Sequence, residues 1–354
     1  MSKLKVGGIG YPQYGAFYPA IVKRNYGKWI GHKFVKPGVI ERISETEEKC
    51  IVVRVLGAPN GMYSTKTVRW FADLVDKYAE GFRITSRNSI EFVGANPTKT
   101  DELIDVLNME GWPVGGTGKS LHQIVCCTGF VYCQQTAIDS PSIMKAIADA
   151  FYDEFMTEKY PAKLKISVSG CPNNCGEANT ADIGVIGLFK DIPVVGTPEE
   201  MKRCELPVVV STCPTGAIRA KPPTVEIIPE LCIHCGSCAL QCASISFGKP
   251  GTATAAIYVG GKAANTGDGP ALGSPVAIGL KPVPPNYDEI VQVIQKIVDL
   301  WIHGARKGER VREWINRIGW EKFYEKTGLK MDISTIDNFY QNIVPLKTSV
   351  RFRW

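Results

Sequence analysis

The alternation of hydrophobic and polar positions predicts an α+β chain from residue 51 onward. Short runs rich in β-branched and aromatic residues predict strands, and apolar positions three or four residues apart predict helices between them. The predicted strands are residues 51–57, 82–94, 122–127, 163–170 and 257–262. The predicted helices are residues 65–80, 100–112, 140–156, 287–305 and 309–328. This succession is typical of mixed sheets with flanking helices.

Changes in pattern along the chain predict several domains. Residues 1–50 are rich in Gly, aromatic and Lys residues with little periodicity, which predicts an extended arm that packs against a partner subunit. Cysteines then cluster in a short stretch that interrupts the strand and helix pattern, which predicts a small inserted domain. The expected domains are residues 1–120, residues 121–204 together with 251–282, residues 205–250 inserted between those two segments, and residues 283–354 as C-terminal helices and tail.

Composition narrows the class of protein. The 354 residues carry a net charge of +6, from 41 basic and 35 acidic residues spread along the chain, which does not indicate nucleic acid binding. The N-terminal residues lack the apolar stretch of a secretory signal, and no run predicts a membrane helix, so we expect a cytoplasmic protein. Twelve cysteines in a reducing compartment indicate metal or redox chemistry and not disulfides.

The later cysteine group has the C-x2-C-x2-C-x3-C spacing of bacterial ferredoxins, at Cys232, Cys235, Cys238 and Cys242. Three thiolates two residues apart can surround one corner of a 4Fe–4S cluster. The fourth cysteine of such a run serves a second cluster, so a domain with one cluster draws its last ligand from elsewhere. Cys213 has the Cys-Pro context of such a ligand, and the predicted set is Cys213, Cys232, Cys235 and Cys238. The alternative is a zinc site with four cysteines.

The earlier group has the spacing C-x5-C and C-x3-C, at Cys127, Cys133, Cys171 and Cys175. It offers four thiolates from two loops that follow predicted strands, as a 4Fe–4S cluster requires. These residues resemble the sulfite and nitrite reductases, which use this arrangement to hold a 4Fe–4S cluster whose last cysteine also binds the iron of sirohaem. The resemblance implies that Cys175 is the bridging ligand and that the other three cysteines bind the cluster alone.

Three further segments resemble motifs of the same family. The resemblance implies that two arginines of an R-x-T-x-R-N signature face sirohaem carboxylates and the substrate anion, that a Gly-Gly-Lys turn lies beside the cofactor, and that a Lys-x-Lys pair lines the substrate pocket. The matching residues are Arg83 and Arg87, then Gly260, Gly261 and Lys262, then Lys163 and Lys165.

Each of these basic residues also has a structural interpretation. Arg83 and Arg87 could form surface salt bridges, and the two lysines share one face of a predicted strand, as a solvated face would also show. His122 is interpreted as structural. The remaining cysteines are interpreted as buried thiols: Cys50, Cys126, Cys204 and Cys242.

From about residue 18 to residue 354, the chain resembles the beta subunit of dissimilatory sulfite reductase. The resemblance rests on the inserted cysteine domain, the opening NYGKWIGHKFVKPGVIERI and the closing RIGWEKFYEKTGL. It implies sulfite-reductase-like sirohaem domains with an inserted bacterial-ferredoxin-like domain. Residues 1–120 would hold one half-domain of the sirohaem-binding part. Beta subunits commonly show a contracted pattern near these cysteines. The full pattern and the Lys-x-Lys pair are similar instead to the alpha subunit or to the C subunit of anaerobic sulfite reductase, which usually carries more than one ferredoxin motif.

The function implied by the resemblance is the six-electron reduction of sulfite to sulfide, or its reverse, at a sirohaem coupled to a 4Fe–4S cluster. A second, ferredoxin-type 4Fe–4S cluster would supply the electrons. The implied partners are a homologous alpha subunit, with two copies of each subunit in the assembly, and a small electron-donor or sulfur-carrier protein. The alternatives are a C-type subunit of anaerobic sulfite reductase, a nitrite reductase subunit, and an electron-transfer or scaffold subunit whose sirohaem pocket does not bind substrate.

Overall fold

The structure is a computed structural model, and it describes residues 14–331 except residues 134, 214, 233, 235, 248–252, 266 and 268. The described chain divides into two compact units. Unit 1 contains the residues up to Gln123 together with Tyr152–Lys163, and unit 2 contains Ile124–Phe151 together with the residues from Leu164 onward.

The strands and α-helices of both units are numbered in chain order. The strands are β1 Trp29–Lys36, β2 Val39–Ser44, β3 Lys49–Val55, β4 Gly81–Ile84, β5 Ile90–Val93, β6 Val125–Cys126, β7 Ile166–Ser169, β8 Ile183–Leu188, β9 Pro193–Val195, β10 Ile218–Lys221, β11 Thr224–Ile227, β12 Ile245–Phe247, β13 Thr254–Val259 and β14 Ser274–Leu280. The helices are α1 Ala20–Arg24, α2 Thr65–Tyr78, α3 Thr100–Met109, α4 Ser140–Ala150, α5 Tyr152–Phe155, α6 Pro198–Met201, α7 Leu206–Ser211, α8 Ser237–Gln241, α9 Asp288–Gly304, α10 Val311–Ile318 and α11 Trp320–Thr327.

Unit 1 is built on an antiparallel five-stranded sheet with strand order β1-β2-β3-β5-β4. Because successive side chains of a strand point to opposite faces, β3 contributes to two separate cores. Val53 and Val55 pack with residues of α2 and α3, whereas Val52 packs with Ile21 of α1. Helix α2 begins where the Ser64 side chain accepts a hydrogen bond from the backbone of the third residue after it.

Two predictions for unit 1 were wrong. Residues 20–50 do not form an extended arm, because they contribute α1, β1, β2 and the start of β3 to the unit. Residues 1–13 of the predicted arm lie outside the described residues. Residues 82–94 form a hairpin and not one strand. Thr85 Oγ1 accepts the backbone N–H groups of Arg87 and Ser89, and Asn88 adopts φ 64°, which reverses the chain between β4 and β5.

The segment Tyr152–Lys163 returns to unit 1, whereas the sequence placed it in the second domain. The predicted helix 140–156 ends at Ala150 and is followed by the short α5. The carbonyl oxygen of Phe155 then accepts the N–H of Gly116 at 2.9 Å, and Lys119 accepts the N–H of Tyr160 at 2.9 Å. These backbone bonds hold the segment against the Gly-rich stretch of unit 1.

Unit 2 is built on a mixed sheet with strand order β14-β13-β8-β7-β6. Strands β6, β7 and β8 are parallel, whereas β8, β13 and β14 are antiparallel. Helices α4 and α9 contact this sheet and each other. The two units together confirm the predicted α+β class of mixed sheets with flanking helices.

A small cysteine-rich module lies between β8 and β13. It begins earlier than the predicted residue 205, because β9 pairs with β12 and closes the module at its two ends. It holds the hairpin β10–β11 and the helices α6, α7 and α8. Met201, Val209, Ile218 and Ile245 are buried in a core of its own. Residues 248–250 of the predicted span lie outside the described residues.

The C-terminal stretch forms α9, α10 and α11. The predicted helix 309–328 is interrupted at Gly319, whose φ of 88° is open to glycine and strained for other residues. Trp301, Trp314 and Phe323 are fully buried, as core packing predicts. Among the residues the structure describes, none of the helices is long and apolar enough to cross a membrane.

Candidate functional site

The first cysteine group lies at one edge of the sheet of unit 2. Cys127 directly follows β6, and Cys171 comes two residues after the end of β7. Because these neighbouring strands are parallel, their carboxyl ends lie at the same sheet edge and bring the two loops together. Cys133 and Cys175 lie further along the same two loops, and Cys175 is the exposed member of the group.

The thiols of Cys127, Cys133 and Cys175 lie close enough to Cys171 to affect its pKa. Burial raises the pKa of the Cys171 thiol to about 11, and Cys133, Cys127 and Cys175 each raise it as well. Cys127 Sγ accepts the N–H of Gly170 at 3.1 Å. Thiolates this close together are favoured only when cationic iron neutralises them, so the donor set fits an iron–sulfur cluster.

A set of small residues and amides shapes the second loop. A Cβ at Gly170 would lie 1.9 Å from Thr136 Oγ1, so only glycine fits after β7. Asn174 has φ 58°, and its Oδ1 accepts the hydroxyl of Ser169 at 3.2 Å and the N–H of Asn179 at 3.3 Å. The turn between Cys171 and Cys175 is therefore fixed from inside unit 2.

The Gly260-Gly261-Lys262 turn packs on the segment that follows this loop. The N–H of Gly260 bonds the Asp182 carbonyl at 2.9 Å, and a Cβ on Gly261 would lie 2.4 Å from the Ala181 carbonyl oxygen. Lys262 is only 1% exposed and pairs with Glu313. The sequence places Lys262 beside the cofactor, and in the structure its ammonium anchors the turn through Glu313.

Lys163 and Lys165 are half-buried and alternate with buried apolar neighbours, as the period-2 prediction requires. They precede β7, which begins at Ile166. The N–H of Lys165 donates to Asp182 Oδ2 at 2.8 Å, and its carbonyl oxygen accepts the N–H of Ile183 at 3.2 Å. The backbone of Lys165 is thus held on both sides.

Unit 1 contains a polar cleft of about 190 Å³, called here the arginine cleft. Glu91 Oε1 accepts Arg54 at 2.7 Å, and Glu91 Oε2 lies 3.3 Å from Arg83 Nη1. Arg87 donates to the carbonyl oxygen of Gln123 at 3.0 Å. The basic residues that line the cleft are Arg42, Arg54, Arg83, Arg87 and His122.

The arginine cleft favours an anion. Burial lowers the pKa of His122 to about 4, and the charges of Arg54, Arg87 and Lys163 lower it as well, so the imidazole is neutral at pH 7. Glu91 is the acidic residue among the lining groups, against four guanidinium groups. This balance fits carboxylates or a small oxyanion. Sequence reasoning missed Arg42 and Arg54; the signal for Arg54 was an arginine inside the apolar run 51–57.

The second cysteine group lies in the cysteine-rich module. Cys213, Cys232 and Cys238 line one cavity, whereas Cys235 lies outside the described residues. Burial raises the pKa of Cys213, but hydrogen bonds from Thr215 and from backbone N–H groups outweigh burial and leave that pKa below its ordinary value. One of these donors is the N–H of the residue four positions after Cys213, at 3.1 Å. Such donors stabilise thiolate ligands of iron–sulfur clusters.

Cys204 and Cys242 form a disulfide with a Cα–Cα distance of 5.3 Å. The sequence interpretation of both as free buried thiols was therefore wrong. They are 38 positions apart in the sequence, and the fold of the module brings the segment after α6 and the end of α8 together. Cys242 is 1% exposed and bonded to Cys204, so in this structure it does not face the cavity lined by Cys213.

Gln135, which sequence reasoning missed, joins the loop of Cys133 to the ferredoxin motif. Gln135 is 2% exposed, follows Cys133 by two positions, and donates its side-chain N–H to the carbonyl oxygen of Gly236. Phe189 stacks on Phe247 with ring centroids 4.1 Å apart. A Cβ on Gly236 would overlap Gln135, so glycine is required inside the ferredoxin motif.

Within the described residues, no three His, Cys, Asp or Glu side chains converge closely enough to hold a single metal ion. A single-ion site requires its donors about 2.0–2.3 Å from one point. The thiolates around a 4Fe–4S cluster bind different irons and lie farther apart.

Comparison with known proteins places the chain among sulfite reductases. The family model for the nitrite and sulphite reductase 4Fe-4S domain matches residues 117–334, and the model for the nitrite/sulfite reductase ferredoxin-like half domain matches residues 45–110. The dissimilatory-type sulfite reductase subunit beta of Archaeoglobus fulgidus is 36% identical over 98% of each chain. That of Nitratidesulfovibrio vulgaris is 33% identical over 95% of this chain and 92% of its own.

A solved structure shares the fold of the chain. The crystal structure of dissimilatory sulfite reductase I matches with a TM-score of 0.81 and 23% sequence identity, covering 89% of this chain and 81% of that chain. The sequence relatives confirm the resemblance to the beta subunit. The similarity to the alpha subunit around the cysteines does not change this assignment. The chain belongs to the beta-subunit family of the dissimilatory sulfite reductases, within the nitrite and sulfite reductases.

Proposed function

We propose that this chain is the beta-type subunit of an enzyme that interconverts sulfite and sulfide by transfer of six electrons. The observation that carries the proposal is the gathering of Cys127, Cys133, Cys171 and Cys175 at one sheet edge, in a chain of this family. These thiolates would hold a 4Fe–4S cluster, and the exposed Cys175 would also ligate the iron of sirohaem. The two coupled groups supply electrons, one at a time, and a binding position for sulfur.

The basic residues would bind anions. The arginine cleft presents Arg83 and Arg87 to carboxylates or to the substrate anion, and Glu91 holds Arg83 in place. Lys163 and Lys165 would hold sulfite oxygens and stabilise the negative charge that builds on oxygen as it leaves as water. His122 stays neutral at pH 7, so it adds no charge to the cleft.

The cysteine-rich module would hold a second 4Fe–4S cluster through Cys213, Cys232, Cys235 and Cys238. The module has its own hydrophobic core, and its Gly236 contacts Gln135 beside the first cysteine group. This arrangement suits a cluster that supplies electrons from a small donor protein. The chain would assemble with a homologous alpha-type subunit, in two copies each, and that subunit would contribute further basic groups.

The test is anaerobic purification of the chain with its alpha-type partner, followed by iron counting and a visible spectrum with and without sulfite. We expect sirohaem bands that shift when sulfite is added. In a Cys175→Ser variant, the coupling of the sirohaem to the cluster and the turnover of sulfite should be lost, whereas a Cys50→Ala variant in the sheet of unit 1 should keep both.

The outcomes separate the alternatives. A Cys175→Ser enzyme with the wild-type spectrum and turnover would contradict the cluster assignment. Sirohaem bands that do not respond to sulfite would favour an electron-transfer or scaffold subunit. A response to nitrite with turnover exceeding that of sulfite would favour a nitrite reductase.

A further inference from the structure

A closed ring of interactions lies within unit 2, on the segment that follows the loop of Cys171 and Cys175. The carboxylate of Asp182 accepts two hydrogen bonds from the Arg310 guanidinium, at 2.9 and 2.7 Å. The backbone N–H of Arg310 donates to Glu313 Oε2 at 3.0 Å, and the other oxygen of Glu313 pairs with Lys262. The ring closes where the N–H of Gly260 bonds the backbone carbonyl of Asp182 at 2.9 Å.

The central pair of the ring is fully buried. Asp182 is 0% exposed and Arg310 is 5% exposed. Burial raises the pKa of Asp182 above its ordinary value, and the guanidinium acts in the opposite direction. Apolar residues of similar volume often stabilise a fold at least as well as a buried ion pair. The Asp182–Arg310 pair is therefore better explained by a role in fixing the surrounding backbone than by stability alone.

The same carboxylate fixes a segment assigned to substrate binding. Asp182 Oδ2, which accepts Arg310, also accepts the backbone N–H of Lys165 at 2.8 Å. The carbonyl oxygen of Lys165 accepts the N–H of Ile183, at the start of β8, at 3.2 Å. Asp182 therefore joins the Lys-x-Lys segment, the Gly-Gly-Lys turn and the start of helix α10.

We propose that Asp182, held by Arg310, is a positioning residue that places Lys165 for the anionic substrate. The inference rests on the proposed function, in which Lys165 binds sulfite oxygens. A backbone shift at Lys165 displaces its ammonium by a comparable distance, and a misplacement of about 1 Å can cost up to about a hundredfold in rate.

The test replaces the buried pair by apolar residues in the assembled, cofactor-loaded enzyme, as Asp182→Leu with Arg310→Met. The apolar pair should keep the fold and the visible spectrum, with a small fall in melting temperature because the N–H of Lys165 loses its acceptor. We expect the KM for sulfite to rise about tenfold with a smaller change in kcat, because substrate placement is lost. Amide hydrogen exchange at Lys165 should accelerate, since its acceptor is gone.

A matched control is Lys145→Gln with Asp149→Asn, which removes an exposed ion pair of α4 in the same unit. This variant should leave the KM and the exchange at Lys165 unchanged. If the double apolar variant does not fold, Arg310→Lys takes its place, because lysine keeps the charge but cannot bond both carboxylate oxygens in the same way. A smaller shift in the same direction is then expected.

Lys165→Met separates this inference from the proposed function. If Lys165→Met raises the KM but the variants at Asp182 and Arg310 leave both the KM and the amide exchange at wild-type values, the positioning role is overturned. If Lys165→Met leaves the KM unchanged, the assignment of Lys165 to substrate fails. The role of Asp182 in placing Lys165 for sulfite is then overturned as well. The exchange data still show whether Asp182 holds the backbone of Lys165.

Discussion

At the scale of single residues, the choice of the fourth ligand in the ferredoxin motif is open to a direct test. Cys213 lines the cavity with Cys232 and Cys238, whereas Cys242 is bonded to Cys204. A Cys213→Ser variant should therefore lose about four irons, one cluster. A Cys242→Ser variant should keep them. Iron counting and the electron paramagnetic resonance of the reduced clusters measure this, and the reverse ranking would make Cys242 the ligand.

The buried imidazole of His122 predicts a pH dependence. Its pKa is about 4 in the folded chain against an ordinary value of 6.5, because burial and the nearby arginines disfavour the cation. The unfolded chain therefore binds more protons between these two values, so stability is lost as the pH falls from 6.5 towards 4. The loss is at most about 3 kcal/mol.

Thermal unfolding at about pH 7 and about pH 4.5 measures the effect of His122. A His122→Gln variant keeps an N–H for the carbonyl oxygen of Gly118 but does not titrate. Wild type should lose more stability than this variant on acidification. Equal losses in the two proteins would show that His122 is not the group responsible.

At the scale of elements, the Gly-Gly-Lys turn offers a matched pair of glycines. A Cβ on Gly261 would lie 2.4 Å from a backbone oxygen of Ala181, so Gly261→Ala should cost about 1–3 kcal/mol and displace the segment after Cys175. A Cβ on Gly260 would have no neighbour closer than 3.8 Å. Gly260→Ala should therefore lower the free energy of unfolding by about 1 kcal/mol, because of its φ of 83° alone. Thermal unfolding and cluster content rank the two variants, and a larger loss for Gly260→Ala would contradict this packing.

Periodicity predicted most elements but not their interruptions. The stretch from Thr65 alternates at helical spacing because its apolar side enters a core, and it forms α2 as expected. The hairpin turn at Thr85–Ser89 depends on side-chain bonds to the backbone, and the break at Gly319 depends on one φ angle. Neither leaves a signal in hydrophobic spacing. Strand β1 was missed because it is exposed almost throughout.

At the scale of the whole molecule, spacing along the sequence was sufficient to select groups of cysteines that share a short segment. The cysteines of each group are close in sequence within their loops, so the pattern predicted them. Asp182 and Arg310 are 128 positions apart, and Gln135 and Gly236 are 101 apart. Such pairs are brought together only by the order of strands in the sheet, which composition and periodicity do not encode. The return of Tyr152–Lys163 to unit 1 was hidden for the same reason.

The cysteine-rich module occupies the connection of a β-hairpin, which predicts that it can be removed. Strands β8 and β13 pair directly, and Leu188 lies opposite Thr254 at the module's two ends. A two-residue Asn-Gly turn in place of residues 190–252 should therefore close the hairpin without moving the sheet. The module's hydrophobic core lies within the deleted span, so little of the core of unit 2 is lost.

The shortened chain, assembled with its partner, should lose about four irons and keep its sirohaem bands. Reduction of sulfite by the protein electron donor should stop, because the module is the proposed entry point for electrons. A small dye reductant, which does not need to dock, should still reduce the sirohaem. A shortened chain that loses its sirohaem would show that the contact of Gly236 with Gln135 supports the first cysteine group. One that keeps full turnover with the protein donor would show that electrons enter elsewhere.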